Sequence, residues 1–588
     1  MVSAPVWKSG DDPFVWMLPL SLACLYVLCA AAGACRTHRV ADRSCVAVLS
    51  LLSVASRFHK LSEPGRIVLD EVHFGKFVNR YWSSHYYFDI HPPVAKLVLA
   101  GLGWLGGHDA DFDFSVNGKA FERESQYVIL RRASALFGAA LPVLAYVQLR
   151  VWRLRPHAAA FGAGLLLFEG MHVTQARHVL LDSQLLAYQS AALLCASLMW
   201  NSKLESFARR VFLAVAAACF SALGALVKVT GLAMVGLVVL ESAFALTLAA
   251  EQGPLDVAEV VPMAVAFAIT EVAAFAAHFI LLHSTGNFGD YRYDDYHSAA
   301  FRASLKGADA EDVTPLGFIG KFLELNYRMT ERSAAIETRH PAESRWTTWP
   351  TDAVGFLYYK RGVTLSEAAY DASTPRLRVV FLIGNPAVIY LTTLAVIAWS
   401  VHLALQIRGN STFRDALRIV HGLDGGVQAG GQRDQFLQSS RLAPSSQDSK
   451  ELNGTRMCHG NEPAKANTVN TPMDRLPREG KVSGRQRRHA AQACFLLVGW
   501  AANVFPFMMV KRSTWIYHYM GAEYLAVLLA AVAFDKFMPQ KKGRRGALLF
   551  ASLAPAAAFA AFLAPWSYAM PLRDTQHAAR RLLTSWSI

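Results

Sequence analysis

Residues 45–56 read CVAVLSLLSVAS, and they lead into two polar blocks, DEVHFGKF at 70–77 and FDIHPP at 88–93. These blocks carry carboxylates, imidazoles and a lysine where an ordinary loop would carry Gly, Ser and Asn. Ionisable side chains held at a bilayer boundary are costly and are usually functional. The pattern therefore predicts a membrane-spanning helix that delivers a chemical site to one face of a membrane.

The composition of the whole chain is that of a membrane protein. Its 588 residues are 53% hydrophobic and 17% charged, whereas soluble domains carry about 25% charged residues. The net charge of +14 is concentrated in short loops between apolar runs, which indicates a positive-inside topology and no nucleic-acid partner. The eight cysteines show no metal-ligand spacing and are interpreted as small buried hydrophobes.

Apolar runs along the chain predict about 11–12 transmembrane helices. The predicted spans are Phe14–Ala34, Cys45–Ser56, 129–149, 157–171, 179–200, 211–227, 229–249, 259–282, 377–403, 492–510, 519–535 and 546–566. In alternation they place the basic loops on the cytosolic side and the loops 57–128 and 283–376 on the luminal side. Residues 92–107 and 316–330 have helical apolar spacing and are expected to form short interfacial helices.

The same pattern divides the chain into four parts. Residues 1–43 hold an additional N-terminal span and a basic cytosolic loop, and residues 44–405 form a membrane core. Residues 406–490 are a polar insert, and residues 491–588 complete the core with its last helices. The insert is rich in Gly, Ser, Gln, Asn and Arg, a composition that buries too little apolar surface to fold alone, so we expect disorder there.

Asp70 and Glu71 are the first candidate catalytic residues. Adjacent carboxylates point in different directions on any regular element, so they can hold separate roles. A carboxylate beside aromatics at a membrane face can have a raised pKa, which suits a general base. An acidic helix N-terminus or a surface salt bridge explains the pair equally well. The nearby His73, Asp89 and His91 favour a site.

Cations on the same face supply the second part of the predicted site. Arg57 closes a span, Arg131 opens another, Lys228 interrupts a long apolar run, and Arg177 precedes Asp182. Each arginine alone is commonly an interface anchor. Together with a carboxylate pair they offer what phosphate oxygens require, namely guanidinium forks and an ammonium charge. The sequence holds no glycine-rich phosphate loop, which argues against a nucleotide donor and leaves an anionic lipid carrier.

Two polar-aromatic clusters extend the predicted site. Residues 338–350 read TRHPAESRWTTWP and combine Glu343 and Arg345 with Trp346 and Trp349, and residues 512–519 read RSTWIYHY. Stacking faces beside hydrogen-bonding groups suit a sugar or a peptide strand. An aromatic belt at the membrane interface explains the tryptophans but not their charged neighbours.

These motifs together resemble the protein O-mannosyltransferases, the dolichyl-phosphate-mannose–protein mannosyltransferases of eukaryotes. The resemblance extends from residue 57 to about 570, nearly the whole chain. The matching runs are DEVHFGKF and FDIHPPVAK within 70–96, TQARHVLLDS at 174–183, HPAESRWTTWP at 340–350, GNP at 384–386 and HY at 518–519.

The resemblance implies an all-α polytopic membrane protein with the GT-C glycosyltransferase fold. It implies a dolichyl phosphate mannose donor, Ser or Thr hydroxyls of secretory polypeptides as acceptors, and inversion at the anomeric carbon. It further implies an endoplasmic reticulum membrane location, a luminal active site, and a homodimer or a heterodimer with a related mannosyltransferase. The essential acidic pair of the family maps onto Asp70 and Glu71, and its donor-phosphate contacts map onto Arg57, Arg131 and Lys228.

Other motif residues are expected to position the sugar or the acceptor. They are His73, Lys76, Asp89, His91, Arg177, Asp182, His278, Glu343, Arg345, Trp346, Trp349 and His518. Many family members carry a β-trefoil of MIR repeats in the large luminal loop. The loop 283–376 is too short for that domain together with its flanks, so acceptor selection by a trefoil is not expected here.

In the expected reaction Asp70, aided by Glu71, accepts the proton of the acceptor hydroxyl as it attacks the mannose carbon. A divalent cation (Mg²⁺ or Mn²⁺) is a further candidate at Asp70, Glu71 and Asp89, although no ligand spacing compels it. Three other classes stay open. They are a polyprenyl-phosphosugar glycosyltransferase with another acceptor, a non-catalytic partner subunit, and a lipid transporter, whose inverted repeats are not evident.

Overall fold

A computed structural model describes residues 39–201, 207–248, 255–285, 287–288, 291–292, 296–308, 312–362, 376–409, 484–537 and 553–588. The chain divides into two compact units, Met1–Leu403 with Gly484–Ile588, and Ala404–Ser483. The strands and the candidate site belong to the first unit. Of the second unit, only the end of one helix is described.

The described residues are mainly helical. In chain order the helices are α1 (Arg39–Phe58), α2 (Glu71–Ser83), α3 (Val94–Leu105), α4 (Val128–Val151), α5 (Pro156–Leu167), α6 (Gly170–Ala176), α7 (Asp182–Asn201), α8 (Phe207–Ala225), α9 (Leu232–Phe244), α10 (Val257–Leu281), α11 (Ala299–Ala303), α12 (Phe318–Ala334), α13 (Pro386–Gly409), α14 (Gly484–Val504), α15 (Met520–Phe537), α16 (Leu553–Ser567) and α17 (Asp574–Ala578).

Six segments of the described chain are long and apolar enough to cross a bilayer. They are Val128–Val151, Phe207–Ala225, Val257–Leu281, Pro386–Gln406, Gly484–Met509 and Ile516–Phe537. Further apolar helices, among them α3, α5 and α16, are shorter. The chain is therefore a multi-pass membrane protein, as predicted. The predicted span Phe14–Ala34 lies outside the described residues, and the number of spans stays a prediction.

The packing separates central helices from peripheral ones. Nearly every residue of α15 is buried, and α4 is buried along most of its length. In contrast, α10 exposes large apolar side chains along its length, including Val257, Val265 and Ile269. Apolar exposure of that kind is expected of a helix that faces lipid.

The predicted span 377–403 is partly wrong. Residues Arg376–Leu382 form a strand, and helix α13 begins only at Pro386. The Asn385 side chain accepts the amide hydrogen of Ala387 at 3.1 Å, so Asn385 caps α13 and Pro386 occupies its first turn. The apolar residues before this cap therefore pair as a strand and do not extend the helix.

Two other predicted boundaries also change. The predicted span 157–171 is split, because the Glu169 side chain accepts the amide hydrogen of His172 and starts the short helix α6. The predicted insert 406–490 is helical at both ends, since α13 continues to Gly409 and α14 begins at Gly484. The remainder of the insert lies outside the described residues. The predicted interfacial segments 92–107 and 316–330 are confirmed as helices, α3 and α12.

A small antiparallel sheet lies next to the helices. Its strands are β3 (Phe356–Gly362), β4 (Arg376–Leu382) and β5 (Pro571–Arg573), in the order β3-β4-β5. A two-stranded ribbon, β1 (Asn287–Phe288) and β2 (Tyr291–Arg292), precedes it in the chain. The pairing of β3 with β4 shifts register between Leu357 and Tyr359, so Tyr358 occupies a bulge.

Ion pairs mark two ends of the helical unit. At one end Arg150 of α4 binds Asp42 of α1 at 2.7 Å, and Arg155 binds Asp535 of α15 at 2.6 Å. These arginines belong to a loop that the sequence places on the cytosolic side. Lys228, which the sequence places on the other face, binds Asp182 at 2.7 Å. The predicted alternation of cytosolic and luminal loops stays a prediction.

Candidate active site

Asp70 lies at the N-cap position of α2, directly after Leu69, whose backbone is left-handed with φ 47°. Its half-buried carboxylate makes no capping bond and has no hydrogen-bond or ion-pair partner among the described residues. Burial raises the pKa of Asp70, while His73 and Lys228 act in the opposite direction. A carboxylate with a raised pKa and unused lone pairs meets the requirements of a general base.

Glu71, the next residue, is fully engaged in a buried clamp. Its carboxylate accepts two hydrogen bonds from Arg131, each at 2.8 Å, and two from the backbone amides of Val68 and Val179 at 2.9 and 3.0 Å. Burial alone would raise the pKa of Glu71, but Arg131 holds it well below its usual range. These four bonds leave no acceptor position for a substrate proton, which favours a structural role for Glu71; its predicted catalytic role stays a prediction.

Three arginines expected to bind phosphate or substrate, Arg57, Arg131 and Arg177, bind backbone carbonyls instead. All three side chains are buried. The carbonyl acceptors are those of Leu166 and Leu167 for Arg57, of Leu61, Pro64 and Arg66 for Arg131, and of Arg57, His59, Lys60 and Ser567 for Arg177. The predicted phosphate contacts of Arg57 and Arg131 stay predictions. The guanidinium groups of Arg131 and Arg177 fasten the loop before α2 to the helical unit, and that of Arg57 ties the end of α1 to the end of α5.

Lys228 is the predicted phosphate ligand that remains available. It lies between α8 and α9, and its Nζ binds Asp182 Oδ1 at 2.7 Å. Both side chains line a cleft of about 520 Å³ together with Tyr517 and His518. The apolar part of the lining includes Leu185, Leu186, Leu232, Phe507, Val510 and Met520. The cleft therefore combines an ammonium group with walls that suit a hydrocarbon chain.

Aromatic and imidazole groups surround Lys228. The ammonium lies 5.2 Å from the centre of the Tyr517 ring, and that ring stacks on His518 at 4.5 Å. Burial lowers the pKa of His91 to about 3, and the positive charges of Lys228 and Arg512 act in the same direction. His91 is therefore a neutral imidazole that can donate or accept a hydrogen bond beside these cations.

Arg512 is a site residue that the sequence reasoning did not select. Its guanidinium is half-buried and has no hydrogen-bond or ion-pair partner in the part of the chain that is described. It is close enough to lower the pKa of His91. The sequence did contain a signal for Arg512, since it is the first residue of the polar-aromatic run 512–519. An arginine at that position, at the boundary of a membrane span, can contact an anion as readily as it can anchor the span at the membrane interface.

The remaining predicted residues of the first luminal loop divide by exposure. His73 is exposed and Lys76 is half-buried, both on α2. Asp89 forms an ion pair with Lys96, whose ammonium also donates to the carbonyl of His91 at 2.7 Å. Asp89 therefore fixes the turn that carries His91 and is not itself open to a substrate.

Four predicted residues elsewhere prove mainly structural. His278 Nδ1 is 2.9 Å from the Tyr81 hydroxyl inside an aromatic cluster. Trp349 is fully buried and donates to Ser344 Oγ at 3.0 Å. Glu343 binds Arg339 and accepts from Ser513 Oγ at 3.0 Å. Trp346 is half-buried and lies edge-on to Phe505 at 5.9 Å. The structure leaves Arg345 exposed, and brings none of these five to Asp70.

A divalent cation shared by Asp70, Glu71 and Asp89 does not fit this geometry. Glu71 is saturated by Arg131 and two amides, and Asp89 is bound by Lys96. Among the described residues no group of three or more His, Cys, Asp or Glu side chains is arranged to hold a metal ion.

The fold has a counterpart among solved structures. The structure of the Saccharomyces cerevisiae protein O-mannosyltransferase Pmt1-Pmt2 complex bound to the sugar donor matches with a TM-score of 0.71 at 17% identity, over 95% of this chain and 94% of that chain. At this identity the likeness concerns the fold alone. The chain has the GT-C glycosyltransferase fold, as predicted.

Sequence comparison defines the family. A model described as dolichyl-phosphate-mannose-protein mannosyltransferase matches residues 47–283, and a model of the C-terminal four-transmembrane region of protein-O-mannosyltransferase matches residues 318–423 and 473–586. The chain belongs to the protein O-mannosyltransferase family. The expectation that its luminal loop lacks a MIR trefoil stays a prediction.

Individual relatives match over shorter segments. Dolichyl-phosphate-mannose–protein mannosyltransferase 1 of Saccharomyces cerevisiae is 38% identical over 151 residues, 26% of this chain and 18% of that protein. Protein O-mannosyl-transferase 2 of Danio rerio is 30% identical over 281 residues, 46% of this chain and 36% of that protein. The alignments thus span about a fifth to a third of the relatives' own lengths.

Proposed function

We propose that this chain transfers mannose from dolichyl phosphate mannose to Ser and Thr hydroxyls of polypeptides. One observation carries the proposal. Of the acidic residues predicted for the site, Asp70 is the one that has neither a cation nor a hydrogen-bond donor among the described residues, and it lies close to Lys228. A free carboxylate within electrostatic reach of Lys228, which itself lines an apolar cleft, suits base-assisted attack on a lipid-linked phosphosugar. The names of the relatives support this donor and acceptor.

In the proposed step the Asp70 carboxylate accepts the proton of the acceptor hydroxyl as its oxygen bonds to carbon 1 of mannose. The bond from that carbon to the phosphate oxygen breaks with its electron pair on the phosphate, and dolichyl phosphate leaves as an anion. This single displacement inverts the anomeric configuration. A positioned base contributes roughly 10²–10⁴-fold, and no general acid is needed, because phosphate is already a good leaving group.

Lys228 and Arg512 would stabilise the charge that grows on the leaving phosphate. The Lys228 ammonium has three donors and spends one on Asp182. Arg512 brings a half-buried guanidinium that is not bound elsewhere in the described chain. Fixed positive groups in a partly desolvated site are usually a large part of catalysis. Lys228 is also a phosphate contact predicted from the sequence, and this proposal adds Arg512 and does not use Arg57 or Arg131.

The lipid portion of the donor would lie in the cleft of about 520 Å³ next to Lys228. Its apolar walls come from α7, α9 and the segment between α14 and α15. An isoprenoid chain there would place its phosphate beside Lys228 and its sugar towards Asp70. The neutral His91 and the stacked Tyr517 offer a hydrogen-bonding group and a ring face for that sugar.

We also propose which membrane holds this chain and which subunit it pairs with. The positive-inside pattern of the sequence favours Asp70 and Lys228 on the non-cytosolic face, and membership of the family favours the endoplasmic reticulum membrane, where that face is luminal. A dimer with the same or a related mannosyltransferase is supported by the similar fold of the yeast Pmt1-Pmt2 complex. The acceptors would then be secretory polypeptides.

A transfer assay tests the proposal. The chain is purified from membranes together with any co-purifying subunit and incubated with labelled dolichyl phosphate mannose and a Thr-containing peptide. We expect one mannose on the Thr hydroxyl, identified by mass spectrometry. Label found only on a lipid or on a tryptophan carbon would overturn the acceptor assignment.

Two variants test whether Arg512 contacts the donor phosphate. Arg512→Ala should raise the KM for the donor or lower kcat at least tenfold, because it removes a charge-assisted contact. The neighbouring Lys511 is exposed, so Lys511→Ala serves as the matched control with wild-type kinetics. Equal kinetics in both variants would remove Arg512 from the site.

A further inference from the structure

Strand β3 is an edge strand beside the candidate site. It pairs with β4 on one side, and the described chain adds no strand on its other side. An edge strand presents main-chain N–H and C=O groups that can pair with another extended chain. Tyr358 lies within β3. Burial raises the pKa of its phenol, and the charges of Tyr517, Asp182 and Asp70 act in the same direction.

The bulge in β3 places the Tyr358 side chain. The register shift between Leu357 and Tyr359 leaves Tyr358 as the extra residue, and bulges beside active sites commonly redirect a side chain. The Tyr358 hydroxyl is buried and has no hydrogen-bond partner in the described structure. An unpaired buried hydroxyl is costly, so a substrate group that reaches the Tyr358 hydroxyl would gain a hydrogen bond there.

Tyr358 is one of the residues that line a surface cleft. The cleft has a volume of about 480 Å³ and is lined by Leu357–Arg361 on the strand side and by Asn117 and Gly118 on the opposite loop. At its mouth Arg361 Nη1 donates to the carbonyl of Gly118 at 3.4 Å. The cleft is separate from the apolar cleft at Lys228, whose lining residues are different.

We propose that the acceptor polypeptide binds in extended form along the free edge of β3, between Leu357–Arg361 and the Asn117–Gly118 loop, with the Tyr358 hydroxyl directing its Ser or Thr towards Asp70. This inference rests on the proposed function and adds the acceptor subsite to it. Main-chain pairing supplies affinity that is independent of side-chain identity. An enzyme that modifies many polypeptides benefits from such recognition.

The chemistry of the cleft favours a polypeptide over a lipid. Its lining side chains are polar, charged or aromatic apart from Leu357, and the exposed cations Lys360 and Arg361 lie at the end of β3 away from Tyr358. A strand laid beside β3 at the usual spacing of about 4.8 Å needs no apolar groove. The basic end favours acceptor segments that are neutral or acidic on that side of the modified residue.

Tyr358 is a positioning residue in this proposal, and its conservative variant separates function from folding. Tyr358→Phe removes a hydroxyl that is unpaired in the described structure, so the thermal stability should be unchanged or higher. The KM for the peptide should rise about 5–10-fold, the effect of one hydrogen bond, while donor binding stays at the wild-type level. Unchanged peptide kinetics would remove Tyr358 from acceptor binding.

A bulky side chain introduced on the Asn117–Gly118 loop would fill the cleft and block a bound peptide. Asn117 is exposed and lines the cleft, so Asn117→Trp should raise the KM for the peptide at least tenfold without changing the KM for the donor. Val116 is 62% exposed on the same loop and does not line the cleft, so Val116→Trp is the matched control. Equal kinetics of the two variants would overturn the subsite.

The main test uses a nine-residue peptide with one central Thr and a photoreactive phenylalanine analogue three residues from it. After irradiation of the full-length protein, with Asp70→Asn in parallel, we expect crosslinks to residues of the cleft. Single N-methylation along the peptide should weaken crosslinking at every second position, as strand pairing requires. Crosslinks elsewhere, or N-methylation effects without this alternation, would overturn the proposal. If the wild-type protein crosslinks the peptide in the cleft but transfers no mannose to it, the peptide subsite is supported and the proposed function is refuted.

Discussion

The substitution Glu71→Gln tests whether the second carboxylate of the acidic pair is structural. The change keeps the shape of the side chain but removes its charge, and it turns an oxygen that accepts hydrogen bonds into an NH₂ group that faces donors. Glu71 accepts four hydrogen bonds, two of them from the buried Arg131. Breaking a buried ion pair from one side typically costs about 3–5 kcal/mol, because the other charge is left uncompensated.

We expect the free energy of unfolding to fall by about that amount, about 3–5 kcal/mol, measured by denaturant titration in mixed micelles. Glu63 on the same loop binds Arg378 at 2.9 Å but is partly exposed, so Glu63→Gln is the matched control and should cost about 0–1 kcal/mol. The double variant Glu71→Gln with Arg131→Met should be less destabilised than the sum of the single variants, because the two side chains form one interaction.

The pH dependence of this clamp has a definite sign. The folded-state pKa of Glu71 lies below its ordinary value of 4.5. Its contribution to stability is therefore complete above about pH 4.5 and is lost as the pH falls towards the folded-state value. If Glu71→Gln unfolds like the wild type yet no longer transfers mannose, Glu71 takes part in the chemistry and the structural reasoning is refuted.

Two further predictions concern the base and the packing. On its acid side, the pH profile of kcat/KM should fall at a pH above the ordinary Asp pKa of 3.8, since burial raises the pKa of Asp70. Lys228 lowers this pKa and Asp182 raises it, so Lys228→Met should move the acid limb to higher pH and Asp182→Asn should move it to lower pH. An acid limb that stays in place in both variants would contradict the assignment of Asp70 as the base. A Cβ at Gly170 would lie 2.5 Å from a main-chain carbonyl oxygen, so Gly170→Ala should lower the free energy of unfolding by about 1–3 kcal/mol. A Cβ at Gly164 would have no neighbouring atom within 4 Å. The control Gly164→Ala should therefore leave the free energy of unfolding unchanged or raise it by about 0.5–1 kcal/mol.

Much of the architecture could be predicted, because long apolar runs are a strong signal for helices in a membrane. The main error, the strand Arg376–Leu382, has a physical reason. Its apolar residues precede the Asn385 cap and the Pro386 helix start, and an apolar run does not itself distinguish a buried strand from the start of a helix.

The site was predicted in part. Asp70 and Lys228 could be selected because ionisable residues at a membrane boundary are unusual. Arg57 and Arg131 were assigned to phosphate because charge and position are visible in a sequence, whereas the carbonyls that occupy their donors are not. Those carbonyls belong to segments that are adjacent only in the folded chain, such as the end of α5 for Arg57.

Tyr358 could not be found by pattern. It is one of two consecutive tyrosines in an alternating segment, and only the bulge opposite β4 distinguishes it from its neighbour. Local sequence does not determine where such a bulge falls, since the register depends on the pairing strand. The same holds for Arg512, whose lack of a partner in the described chain depends on the packing of several loops.

The most direct test of the account is single-turnover transfer by Asp70→Asn, with donor binding measured on the same preparation. We expect the donor to bind with wild-type affinity and the rate of mannose transfer to the peptide to fall roughly 10²–10⁴-fold, the usual contribution of a positioned base. Transfer at a near wild-type rate would contradict the assignment of Asp70 as the proton acceptor.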